Sequence, residues 1–197
     1  MVSTEGMESL PRDLTTRAGL LETGLVFFTL DQAATVDAIA GRLIPGDEGS
    51  PGAREAGVTI YIDRVLAGYF SSLQTLYREG LGAINSVSNA LFGGEFLSLD
   101  PNRQDEVLRI AENARHEKGN ERLAQFFAVI WEHTIEGMFG DPIHGGNRNL
   151  VGWRLIGFPG AQWGYSPEQM APGFDATTIP AATLADRQRQ RPTAFKA

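Results

Sequence analysis

The sequence predicts an all-α fold, with about five helices in an irregular bundle, then a glycine/aromatic-rich ordered loop and an extended C-terminal tail. Three observations carry that reading. Apolar residues recur at helical spacing in five stretches between residues 25 and 140, and no convincing period-2 strand interrupts them. Glycines at 140, 145, 146, 152, 157, 160 and 164 then forbid a long regular helix, although Trp153, Ile156, Phe158, Trp163 and Tyr165 in that stretch are too apolar to leave in water. From Ser166 onward Pro, Ala, Thr and Gln dominate, with a short basic run at Arg187, Arg189 and Arg191. The chain thus divides into a flexible leader (1–24), a helical domain (25–165) that includes the loop 140–165, and a tail (166–197).

The elements follow in order. Thr29-Leu30-Asp31-Gln32 reads as a capping box, and Val36, Ile39, Ala40 and Leu43 form the first stripe, stopped by Pro45-Gly46. Ser50-Pro51 reads as the N-terminus of a second helix with Val58, Tyr61, Ile62, Val65 and Leu66 inward. A third covers Leu73 to Leu91 and ends at Gly93-Gly94; Asp100-Pro101 opens a fourth, with Val107, Leu108 and Ala111 inward. The fifth follows Asn120, where Leu123, Phe126, Phe127, Ile130, Trp131, Thr134 and Met138 make a wide apolar face.

Composition narrows function by exclusion. The chain has 197 residues, 42% hydrophobic and 21% charged, as in ordinary globular proteins. A net charge of −7 argues against nucleic-acid binding. With no cysteine, there are no disulfides, thiolate nucleophiles, iron–sulfur clusters or covalent c-type haem. No stretch approaches a membrane span, so no direct membrane insertion is expected, and the N-terminus shows no export signal. On that basis the expected compartment is the cytoplasm if the chain is full-length.

Candidate chemistry is sparse. Gly145-Gly146-Asn147 and Gly157-Phe158-Pro159-Gly160 match neither a dinucleotide turn nor a Walker loop. His133, Glu136 and His144 could hold a metal; the competing reading is a solvated or capping His133 near a helix C-terminus. Glu132/Glu136 reads as a solvated face, and no serine sits in a nucleophile elbow. No catalytic, cofactor-binding or metal residue is assigned. The loop is the one signal above background, as a recognition surface or as a lid on the core. As a surface, its contact residues are Asn147, Arg148, Trp153, Phe158 and Trp163.

Asp141-Pro142-Ile143-His144-Gly145-Gly146-Asn147-Arg148, then Gly152-Trp153 and Ile156-Gly157-Phe158-Pro159-Gly160, resembles the signature of the gluconate 2-dehydrogenase subunit 3 family. Arg42-Leu43-Ile44-Pro45 with its acidic loop and Gly57-Val58, and the Phe126–Phe139 helix, resemble it too, so the likeness spans residues 27–165. The resemblance implies a small, non-catalytic subunit that binds and stabilises an FAD-containing flavoprotein of the glucose–methanol–choline type, which oxidises gluconate, glucose or related sugars. It implies no cofactor in this chain, FAD in the partner, and in many complexes a cytochrome c. It also implies a periplasmic, membrane-associated setting as the alternative compartment. Two rivals stand beside it: a transient maturation chaperone of the flavoprotein, and a metal enzyme using His133, Glu136 and His144. The chain departs from the family in lacking a twin-arginine signal and in carrying His144 where Tyr is common.

Overall fold

The computed structural model describes Leu20 and residues 24–190, which are all-α. Eight α-helices occur among the described residues: α1 (Leu30–Leu43), α2 (Ala53–Ala56), α3 (Val58–Ala67), α4 (Gln74–Phe92), α5 (Pro101–Asn113), α6 (Glu121–Phe139), α7 (Val151–Ile156) and α8 (Leu184–Arg189). Five long ones make the bundle. Apart from Leu20 and Gly24, the expected leader lies outside the described residues; Leu20 itself is buried in the core.

Local signals set most helix ends. Thr29 caps α1 with both halves of a capping box, its hydroxyl taking the Gln32 N–H while the Gln32 side chain takes the Thr29 N–H. Asp100 caps α5 with proline in its first turn, and Gly93 ends α4 in the left-handed region.

The second predicted helix is corrected. It is two helices, because Gly57 takes φ +71° between α2 and α3. Its N-cap is Gly52 rather than Ser50, the Gly52 N–H donating to the Glu55 carboxylate at 2.8 Å. The loop before it closes so tightly that a β-carbon on Gly52 would lie 2.3 Å from the Gly46 nitrogen. Ser50 is therefore held in the turn, its carbonyl accepting from Asp47.

Helix α6 runs through the middle, in contact with α1 to α5 and α7. Phe126, Ile130 and Met138 are fully buried beside Tyr77, Ile84, Ile62 and Val107. Trp131 was expected inward but is 41% exposed. It flanks an open groove of about 510 Å³ whose floor includes Leu43, Leu108 and Phe127. One polar residue inside the bundle stands out. Asp63, buried on α3, accepts the backbone N–H groups of Val26, Phe27 and Phe28 at 2.7, 3.0 and 2.8 Å, fixing the chain's entry into the bundle.

Candidate functional site

The glycine/aromatic segment begins where α6 ends, and its first task is to satisfy that end. The last carbonyls of a helix have no partner inside it. Here Asn147 N–H donates to the Gly137 carbonyl at 2.7 Å, and the Trp153 indole donates to Phe139 at 2.7 Å. The Asn147 side chain bridges the loop, its amide N–H donating to Gly140 O and its oxygen accepting from Gly152 N, both at 2.9 Å. Two glycines let the backbones meet. A β-carbon on Gly146 would lie 2.2 Å from the Gly137 oxygen, and one on Gly152 would lie 1.9 Å from the Met138 oxygen.

That docking holds a strained backbone. Asn147, Asn149 and Leu150 all take positive φ, at +44°, +56° and +60°. Left-handed asparagine is tolerable; left-handed leucine persists only where its surroundings over-determine it.

Five residues were expected at a contact surface, and the structure divides them. Asn147 is fully buried and Trp153 is 3% exposed, so both serve the fold. Phe158 sits edge-on to Trp153, ring centroids 5.2 Å apart, and is 44% exposed. Trp163 is 67% exposed, and Arg148 is exposed with its guanidinium laid over Gly57. Phe158 and Trp163 are joined by Leu155, Ile156 and Tyr165, all exposed. Sequence reasoning missed Leu155, because a six-residue helix (α7) is too short to show a period.

The tail differs from the extended segment expected. Residues 166–190 return to the loop through turns, a parallel bridge between Gly160 and Ala182, and the capped helix α8. Arg187 Nε donates to Ala161 O at 2.6 Å and its Nη2 to Gln162, while Leu184 N–H donates to the Asp141 carboxylate at 2.8 Å. A groove of about 340 Å³ remains between α7 with Phe158 and residues 176–181. Arg191 lies outside the described residues.

The histidine readings are also corrected. His133 is not solvated; it is buried, stacked between Phe70 and Tyr77, with its Nδ1 2.8 Å from the Tyr77 hydroxyl. Burial lowers its pKa below the ordinary 6.5, against the opposing pull of Glu136 and Glu132. Burial likewise pushes the Tyr77 hydroxyl well up. Glu136 takes the Tyr61 hydroxyl at 2.7 Å, and His144 is exposed on the turn Pro142–His144. Among the described residues no group of three His, Cys, Asp or Glu is placed to hold a metal, so His133, Glu136 and His144 do not converge. No helix among them is long and apolar enough to cross a membrane.

The sequence model described as Gluconate 2-dehydrogenase subunit 3 matches residues 30–160. The chain belongs to that family. The subunit 3 match begins at the first residue of α1 and closes on Gly160, just after the segment that caps α6. The returning tail, Trp163 and Tyr165 lie beyond the subunit 3 match. No curated protein and no solved structure matches the chain.

Proposed function

We propose that this chain is a non-catalytic small subunit that binds and stabilises the FAD-containing flavoprotein of a sugar or sugar-acid dehydrogenase. Membership of a dehydrogenase subunit family supports a place in a multi-subunit assembly. The flavoprotein, of the glucose–methanol–choline type, would hold the FAD and oxidise the sugar; a cytochrome c would take the electrons onward.

One observation carries the reading. Of fourteen large hydrophobic side chains exposed among the described residues, nine lie between Ile143 and Leu184, on a segment anchored by hydrogen bonds within the chain. Such a concentration on a fixed backbone suits an interface, because rigid aromatic side chains lose little entropy on docking. The histidines offer no comparable support for catalysis, since His133 is stacked and hydrogen-bonded inside the bundle.

The test is co-expression with the dehydrogenase flavoprotein of the same genome, with a tag on this chain alone. A stoichiometric, yellow complex that survives size exclusion is expected. Recovery of the small chain by itself would refute the proposal. A complex that releases the small chain once FAD is bound would show a chaperone instead.

A further inference from the structure

The glycine/aromatic segment itself carries a charge opposite to that of the protein. The chain's net charge is −7. Residues 140–165 hold one carboxylate, Asp141, and it is used internally, its oxygens accepting from Ile143 N and Leu184 N. The segment's two arginines, Arg148 and Arg154, are exposed. Arg64 adds a third cation, its guanidinium lying against Gly145.

Five arginines elsewhere differ. Arg42, Arg54, Arg103, Arg122 and Arg189 each hold a carboxylate. Arg64, Arg148 and Arg154 hold none among the described residues. Arg78, Arg109, Arg115 and Arg187 also hold no carboxylate among the described residues, but Arg78 lies over the Phe27 ring in a groove shared with Asp31 and Glu95, and Arg187 donates to Ala161 O and Gln162. Arg109 and Arg115 line the groove beside Trp131 together with Glu112 and Glu132, so that surface is balanced. Exposed arginines without an ion pair, set beside exposed Ile156 and Phe158, therefore mark the glycine/aromatic segment.

We infer that Arg64, Arg148 and Arg154 dock this face onto an acidic surface of the flavoprotein partner, with Phe158 and its neighbours filling the apolar part of the contact. This rests on the function proposed above and names the chemistry of that partner's surface. Aspartate and glutamate side chains suit guanidinium groups, which take carboxylates through two parallel hydrogen bonds. An acidic protein surface would otherwise be repelled by a chain of this net charge, so a local cationic face selects the docking orientation. The arginines would act mainly by speeding association and fixing register, and so would lower Kd through the on-rate.

The experiment is a titration of the chain into the purified, FAD-loaded flavoprotein at low and raised salt. The wild type should bind more weakly as salt rises, because exposed charges are screened. Arg148→Glu/Arg154→Glu should raise Kd by roughly tenfold at low salt and flatten its salt dependence. Arg109→Glu, on the balanced groove, should leave Kd unchanged. Circular dichroism checks folding; should the double variant not fold, Arg154→Glu alone carries the test, since its side chain makes no hydrogen bond within the described residues. A Kd indifferent to salt and to charge reversal would overturn this inference while leaving the proposed complex intact. Failure to form any complex would overturn both. Binding to phosphatidylglycerol vesicles that is lost in the double variant, with the complex unaffected, would assign the charge to a membrane and overturn the inference as well.

Discussion

Replacing Asn147 by alanine removes the bridge between the two strands of the loop that caps α6. Its side chain satisfies the buried Gly152 N–H and the Gly140 carbonyl, each at 2.9 Å. A buried polar group left without a partner costs about 1–3 kcal/mol. Alanine at φ +44° adds roughly 1 kcal/mol, because asparagine tolerates the left-handed region better. Over the two groups and the backbone the sum is about 3–7 kcal/mol, a large share of the roughly 5–15 kcal/mol by which domains are stable. At this chain length each kcal/mol moves Tm by roughly 2–4 °C, so Asn147→Ala should melt on the order of 10 °C lower. Asn147→Gly relieves the backbone strain without restoring the bonds, so its loss should be smaller by roughly 1 kcal/mol. Urea denaturation of the isolated chain, followed by circular dichroism, measures both. If Asn147→Ala unfolded within about 1 kcal/mol of wild type, the residue would be no structural bridge, and its place at a partner interface would return.

Three further outcomes are expected. Because the folded His133 pKa lies below 6.5, the unfolded chain takes up its proton first as pH falls. Stability should therefore be insensitive to this group above pH 6.5 and decline below it, and His133→Gln should lose that part of the slope in pH-dependent melting. Asp63→Ala would leave the N–H groups of Val26, Phe27 and Phe28 without their acceptor; about 2–5 kcal/mol should be lost, with faster hydrogen exchange at residues 26–28. A β-carbon at Gly80 would fall 2.0 Å from the Phe126 ring, so Gly80→Ala should destabilise by about 1–3 kcal/mol despite alanine's higher helix propensity, as thermal melting would show.

Helix ends were legible where the signal is local: Thr29 with Gln32, Asp100 before Pro101, and Gly93 after Phe92 are all used as their chemistry suggests. The break at Gly57 was hidden because apolar Ala53 and Ala56 before it run on into Val58, Tyr61 and Ile62 after it. On α6 the period located the buried face but misjudged its edges. At about 100° per residue, His133 lies about 60° from Ile130 on one flank and Trp131 about 100° on the other. Phe70 and Tyr77 cover the histidine side, while the tryptophan side opens into the groove. Such choices depend on neighbours distant in sequence. The loop was legible as a unit, and the family likeness marked its residues, but not which way each faces. Asn147 and Trp153 turn inward because α6 leaves carbonyls to be met, and no sequence period encodes that.

The glycine/aromatic segment is divided between an inner half that closes α6 and an outer half left for another protein. Hydrogen–deuterium exchange of the chain, alone and with the FAD-loaded flavoprotein, measures that division directly. Amides of Gly152 and Asn147, already bonded within the chain, should be protected in both states, while residues 155–165 should gain protection only in the complex. Protection appearing instead around Trp131, with residues 155–165 unchanged, would contradict the account.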